Sequence, residues 1–300
     1  MCSIQIETAA APVLAPSVVE TRLGPVEYAS YGEGPTVIAL HGGMGGFDQS
    51  LLLAQSAIAS KGFRILAISR PGYLGTPLRS GRSPEAQADL CAALLDALGI
   101  ARAAVIAVSA GGPCALQFAL RHAERCWAVV TVSVCTGHLD TPRMVSRSLA
   151  MMRVAVCIPY MERAISRRMA GTPEQAAHRS IADAELCART LAHPDAGPLL
   201  VSLLTGTFDR LRQRLPGTVN DTAQFRQDNV YPLGRITAPT FVIHGTGDRV
   251  VPFAYGKALA ESVPGAEFMA IEDGEHVSLF THLEEIRARV GMFLPGHVPS

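Results

Sequence analysis

The sequence predicts an α/β fold: a mostly parallel, doubly wound sheet interrupted by one long helical insertion. Three observations lead there. Short apolar runs at 35–40, 64–69, 103–108, 128–134 and 239–243 have the length and β-branched content of strands buried on both faces. Segments with helical apolar spacing separate the first four, an alternation that implies right-handed crossovers and helices on both faces of the sheet. Between Thr136 and Pro232 the alternation stops, and helix-start signals recur without a convincing strand pattern. The expected organisation is a flexible N-terminus at 1–17, a core formed by 18–135 and 232–300, and a helical insertion at 136–231.

Taken in order, 18–21 and 26–30 flank Leu23-Gly24-Pro25 and read as two short strands joined by a turn. The strand at 35–40 ends in His41-Gly42-Gly43-Met44-Gly45-Gly46, whose glycines let backbone amides approach a ligand closely. A phosphate loop fits this run poorly, because no Lys-Ser or Lys-Thr follows and the G-x-G-x-x-G spacing is missing. Residues 51–61 have helical spacing with Gly62 as the stop. The strand at 64–69 runs into Arg70-Pro71-Gly72-Tyr73, a loop whose proline and glycine forbid regular structure. Ser83-Pro84-Glu85 supplies an N-cap, a first-turn proline and an early acid for a helix to Leu98, closed by Gly99.

After the strand at 103–108 a helix is expected over 114–122, and another strand over 128–134. Inside the insertion, Thr141-Pro142 and Thr172-Pro173-Glu174-Gln175 are helix starts, the second a capping box. The apolar residues Met151, Met152, Ile158, Tyr160 and Met161 read as the insertion's own packing. Strand 239–243, a helix over 253–262, a short strand over 267–271 and a final helix over 283–293 complete the chain.

Composition bounds the function. Of the 300 residues, 48% are hydrophobic and 17% charged, as a globular chain requires. The 26 basic and 26 acidic residues cancel, so electrostatics gives no reason to expect a nucleic acid or an anionic membrane surface as partner. Seven cysteines form no C-x-x-C pair and leave one over in any complete pairing, which fits free thiols in a reducing, cytoplasmic compartment. The first seventeen residues lack the Lys or Arg of a secretory signal. The longest apolar stretch, 149–161, carries Arg153 and falls short of the roughly 20 residues that span a bilayer.

The chemistry centres on Ser109. It stands between the strand at 103–108 and a helical pattern, with the small residues Ala107 and Gly111 on either side. Such neighbours permit a strained turn where strand and helix nearly touch. The turn leaves the hydroxyl at the positive end of a helix, where a free amide such as that of Ala110 can stabilise an oxyanion. The pattern is A-x-S-x-G instead of G-x-S-x-G, and on this stretch alone Ser109 reads equally as a serine in an ordinary strand-to-helix loop. Asp248, in His244-Gly245-Thr246-Gly247-Asp248, follows the strand at 239–243, and His276, in Asp273-Gly274-Glu275-His276, follows the strand at 267–271. Taken singly, Asp248 is also a turn residue and His276 a surface histidine. All three lie at carboxyl ends of strands, where parallel α/β sheets bind ligands. Together they suit nucleophilic catalysis: serine needs a base for its proton, and imidazole needs a carboxylate to fix its tautomer.

From about residue 18 to 293 the chain resembles the α/β-hydrolase fold family. The resemblance is carried by His41-Gly42-Gly43, Arg70-Pro71-Gly72-Tyr73, Val108-Ser109-Ala110-Gly111-Gly112, His244-Gly245-Thr246-Gly247-Asp248 and Gly274-Glu275-His276. It implies Ser109 as nucleophile, His276 as general base and acid, and Asp248 as orienting carboxylate. It further implies an oxyanion hole from the Gly43 and Ala110 amides, with Met44 as second choice of donor, and makes 136–231 the cap over the pocket. Two departures stand out: Ala107 replaces the first glycine of the usual elbow, and Ser69 stands where many relatives carry an acid. An elbow aspartate, as in dehalogenases and epoxide hydrolases, is absent.

The expected function is a serine hydrolase that cleaves an ester, thioester, lactone or related carbonyl compound through an acyl-enzyme, with no metal or organic cofactor. A cofactor-free perhydrolase or a carbon-carbon bond hydrolase could use the same residues. A small-molecule receptor using the same pocket is the non-enzyme alternative. The Leu and Met content of the insertion suits a small or medium, partly apolar substrate, while Arg153, Arg163, Arg167 and Arg168 are either solvated or available to a carboxylate.

Overall fold

The computed structural model describes residues 14–58, 62–139, 143–158, 160–227 and 230–299. Eight strands form one sheet: β1 (Ser17–Thr21), β2 (Gly24–Tyr31), β3 (Thr36–Leu40), β4 (Arg64–Ile68), β5 (Ala103–Val108), β6 (Cys126–Val132), β7 (Thr240–Gly245) and β8 (Glu267–Ile271). Their spatial order is β1-β2-β4-β3-β5-β6-β7-β8, with the β1–β2 and β2–β4 pairings antiparallel and the other five parallel. The chain therefore steps from β3 outward to β4 and returns to the other side of β3 as β5. That reversal opens a crevice beyond the carboxyl ends of β3 and β5, where Leu40 pairs with Ala107.

Alternation along the buried strands divides the apolar residues between two cores. Val37 and Ala39 of β3 face α1 (Phe47–Ala57) and α12 (Leu283–Phe293) in one cluster. Ile38 and Leu40 face α2 (Pro84–Ala97), α3 (Gly112–Arg121) and α10 (Phe253–Ser262) in the other. All five residues of β3 are buried, as a central parallel strand with helices on both faces requires.

Between β6 and β7 lie α4 (Arg143–Ala155), α5 (Met161–Ala170), α6 (Pro173–Ser180), α7 (Ala184–Ala192), α8 (Ala196–Gly206) and α9 (Leu211–Phe225), with no strand among the described residues. The capping box forms as its sequence pattern predicts: Thr172 Oγ1 accepts from the Gln175 amide, and Gln175 Oε1 accepts from the Thr172 amide. The start at Thr141-Pro142 lies outside the described residues, as do residues 1–13 of the expected flexible terminus. Ser17, placed in that terminus by sequence, already belongs to β1.

Several boundaries differ from expectation. Helix α1 begins at Phe47, four residues early, because the Phe47 amide donates to Ser69 Oγ and the Ser50 amide to the Gly46 carbonyl, so tertiary contacts set its first turn. Helix α3 follows a single 3₁₀ turn at Ser109–Gly111 and starts at Gly112, two residues early. Strand β6 stops at Val132 because Ser133 takes a left-handed φ of 48°. The apolar residues of α4 and α5 do not pack as expected. Met151 is 67% exposed and Tyr160 83%, with Ile158 and Met161 also outside. Helices α6, α7 and α8 join the main core through Ala177, Cys187 and Leu200, whereas around α4, α5 and α9 there is only a small core of Val156, Leu211 and Leu215, against which Met152 packs.

Candidate active site

Ser109 occupies a strained position. Its φ is +52°, in the left-handed region that ordinary side chains avoid. The surrounding packing enforces this. A Cβ on Gly111 would lie 2.7 Å from the Leu40 carbonyl oxygen and 2.8 Å from that of His41, so only glycine fits where the start of α3 crosses the end of β3. Ala107 is fully buried in β5, and its methyl group is accommodated at the departure from the usual elbow. The turn lifts the Ser109 side chain toward the crevice between β3 and β5.

His276 bridges the other two groups. Its Nδ1 is 2.8 Å from Asp248 Oδ2 and its Nε2 is 3.1 Å from Ser109 Oγ. A carboxylate only accepts, so Nδ1 carries a proton, and when the ring is uncharged Nε2 accepts from the Ser109 hydroxyl. The side chain of Asp248 is fully enclosed, while that of His276 remains partly open to the crevice. Burial pushes the Asp248 carboxyl up. Hydrogen bonds from His244 and His276, the charge of His276 and the Val251 amide outweigh that burial and hold the carboxyl well below the usual aspartate range. Its Oδ1 accepts the Val250 and Val251 amides at 2.8 and 2.9 Å, which leaves Oδ2 aimed at the imidazole. His244, quoted only as part of a motif by sequence, is buried behind this loop, donates from Nε2 to the Val251 carbonyl and lies 3.5 Å from Asp248 Oδ2.

An apolar cavity of about 170 Å³ opens onto Ser109 and His276. It is lined by Gly42, Gly43, Leu52, Leu53, Val108 and Leu279, with Val277 and Phe280. The insertion supplies the roof through Leu203, Leu204 and Thr207, at and just beyond the end of α8. Gly43 lines this cavity, and a Cβ there would meet nothing within 4 Å. Ala110 is the middle residue of the 3₁₀ turn that Ser109 begins, and it borders a separate small recess together with Arg70 and Pro113. Neither the Gly43 nor the Ala110 amide enters a turn or loop bond among the described residues. The Met44 amide is occupied, donating to Thr218 Oγ1 at 3.2 Å. Arg153, Arg163, Arg167 and Arg168 are exposed and stand away from the cavity.

Sequence reasoning missed α11 (Ser278–Thr281), whose Leu279 and Phe280 line the cavity. Four residues are too few for a periodic signal. It also missed what replaces the acid before Arg70. Ser69 Oγ donates to Glu27 Oε2 at 2.6 Å, and the same oxygen accepts the Gly75 amide, so β2 supplies the carboxylate that ties down the loop. Among the described residues no group of three or more His, Cys, Asp or Glu side chains is placed to hold a metal ion. No helix among them is long and apolar enough to cross a membrane.

Known proteins share this architecture. A solved α/β-hydrolase fold protein from Nakamurella multipartita superposes with a TM-score of 0.78 at 32% identity, covering 93% of this chain and 99% of that one. A 2-hydroxy-6-oxononadienedioate/2-hydroxy-6-oxononatrienedioate hydrolase from Burkholderia vietnamiensis (strain G4) is 26% identical over 279 residues, 90% of each chain. An uncharacterized hydrolase, YcgS of Bacillus subtilis (strain 168), is 33% identical over 120 residues, a match confined to 40% of this chain and 42% of that protein. The family model for the alpha/beta hydrolase fold matches residues 35–283, which include the ends of β3, β5, β7 and β8 where the serine, aspartate and histidine meet. The chain belongs to the α/β-hydrolase fold family.

Proposed function

We propose that the chain is a serine hydrolase that cleaves esters, thioesters, lactones or related carbonyl compounds with an uncharged, apolar acyl part. The observation that carries this reading is the continuous hydrogen-bonded path from Asp248 through His276 to Ser109 at the mouth of an apolar cavity. In the first half-reaction Ser109 Oγ attacks the carbonyl carbon as its proton passes to His276 Nε2. Asp248 steadies the imidazolium by accepting from Nδ1. The carbonyl oxygen gains negative charge and is met by the Gly43 and Ala110 amides. The C–O or C–S bond breaks as His276 returns the proton to the leaving group. A water molecule, deprotonated by His276, then attacks the acyl-enzyme, and Ser109 recovers its proton. Residues 136–231 act as the cap and 18–135 with 232–300 as the catalytic core, a division supported by the roof that α8 and Thr207 contribute. The unpaired thiols of Cys91 and Cys114, 3.9 Å apart, support a reducing, cytoplasmic setting.

A carbon-carbon bond hydrolase is the second reading, favoured by the Burkholderia vietnamiensis relative, whose named substrates are dioates. Against it, the cavity lining among the described residues contains no Lys or Arg to receive a carboxylate. Two measurements test the proposal. A fluorophosphonate, whose phosphoryl oxygen mimics the oxyanion, is expected to form a covalent adduct on Ser109 visible by mass spectrometry, and loss of the adduct in His276→Ala would show that the imidazole activates the hydroxyl. Comparison of kcat/KM across neutral esters, lactones and ring-fission dioates is expected to favour the neutral compounds. Absence of any Ser109 adduct in folded protein, across probes of several sizes, overturns the assignment.

A further inference from the structure

We propose that Arg70 is a positioning residue of the oxyanion hole and that Asp221, on helix α9 of the insertion, holds it in place. The inference rests on the serine-hydrolase reading above. The Arg70 side chain is 1% exposed, and all five of its N–H donors find acceptors. Nε donates to the His41 carbonyl at 3.0 Å, and Nη2 donates to the Gly42 carbonyl at 3.1 Å. The remaining donors go to Asp221 Oδ1 and Oδ2, at 3.1 and 2.6 Å, and to Gln87 Oε1 at 3.3 Å.

The Gly42 carbonyl belongs to the same peptide unit as the Gly43 amide. In a planar trans peptide the two point in opposite directions. Holding the oxygen toward the buried guanidinium therefore turns the Gly43 N–H to the far side, where Gly43 lines the cavity with Ser109 and His276. A second donor strengthens the hold. The Arg70 backbone amide donates to His41 Nε2 at 3.0 Å, which leaves the His41 proton on Nδ1, and Nδ1 donates to the Gly42 carbonyl at 2.6 Å. Two side chains thus fix one carbonyl. A Gly42–Gly43 peptide carries no side chain to set its own orientation, so without these donors it is free to rotate.

Asp221 completes the arrangement. It takes the fork of Arg70 on both oxygens and also accepts from Tyr73 Oη at 2.6 Å. The orientation of an amide in the core is thereby made dependent on a helix of the insertion, and substrate-side positioning and docking of α9 share one buried ion pair.

The test uses Arg70→Met and Asp221→Asn in the full chain, with a neutral aryl ester as substrate. Removing an oxyanion donor outright costs about 10²–10³ in kcat, so a mispositioned donor is expected to cost about 10–100-fold, with KM changed by less than about twofold. Affinity for a trifluoromethyl ketone, whose serine adduct carries an oxyanion, is expected to fall by the same factor as kcat/KM. Guanidinium added to Arg70→Ala is expected to restore part of kcat, which a merely structural lesion would not allow. Asp221→Asn keeps the size and acceptor oxygen of the carboxylate and decides the matter if the Arg70 variants do not fold. Unchanged kcat in folded Asp221→Asn, with wild-type Ser109 reactive, overturns this inference alone. A wild-type Ser109 that does not react overturns the hydrolase reading and the inference with it.

Discussion

Arg70 and Asp221 are 151 residues apart in the chain and meet through two hydrogen bonds, of 3.1 and 2.6 Å, out of reach of solvent. One follows β4 and the other lies on α9, so this ion pair ties the loop after β4 to the insertion. Around it the two backbones touch directly: the Gly217 amide donates to the Gly72 carbonyl and the Leu74 amide to the Gln213 carbonyl.

Because this pair is enclosed, truncating one partner strands the other. Asp221→Ala leaves a buried guanidinium without its counter-charge and is expected to lower unfolding free energy by about 3–5 kcal/mol. Urea denaturation measures it; a loss below about 1 kcal/mol would show that water reaches Arg70 in the native state.

Gly217 sits inside α9, directly after Pro216, where both residues weaken a helix. A Cβ there would lie 2.2 Å from the Tyr73 ring, so the glycine makes room for Tyr73. Gly217→Ala should gain about 1 kcal/mol of helix propensity but lose about 1–3 kcal/mol by displacing the ring, a net destabilisation. Gly43→Ala, with open space at its Cβ, should leave the melting temperature within about a degree of wild type. The contrast between the two melting curves checks the packing argument.

Asp248→Asn is expected to fold and to slow hydrolysis by about 10⁴, since an amide donating to His276 Nδ1 stabilises the tautomer that cannot accept the Ser109 proton. Circular dichroism and kcat on one ester suffice. Near-wild-type turnover would move the orienting acid elsewhere.

His41 gives a pH signature. Burial first, then the charges of Arg70 and Arg214, hold its imidazole well below the ordinary range against the opposing bond to the Gly42 carbonyl. The unfolded chain takes up a proton near the ordinary ~6.5 while the native state does not, so stability is lost as pH falls through that value and continues to fall below it. The slope from this group approaches about 1.4 kcal/mol per pH unit. Imidazole nitrogen NMR should find His41 neutral and protonated on Nδ1 from pH 8 to 5. Titration near 6.5 would contradict the enclosed network.

The amino-acid sequence by itself determined the class of fold and the chain order of the candidate site groups. Apolar runs, N-cap residues and closing glycines are local signals, and β5, α10, β8 and α12 begin and end at the residues those signals mark. Ser109, Asp248 and His276 were legible because strand ends in a parallel sheet converge on one edge, so position along each strand already implies proximity. Other features only the tertiary structure decided. The start of α1 depends on Ser69, from a different strand, and the replacement for the missing acid comes from Glu27 on β2. The outward face of Met151 and Tyr160 follows from how small the core around α4, α5 and α9 is, which periodicity does not report. Pro216-Gly217 within a helical stretch was a visible conflict that could have flagged the Tyr73 contact. Asp221 carried no such mark, because an acid on a polar-looking helix is written the same way whether it meets water or a buried arginine. Only closure of the chain brings the two charges together and removes the water that would otherwise separate them.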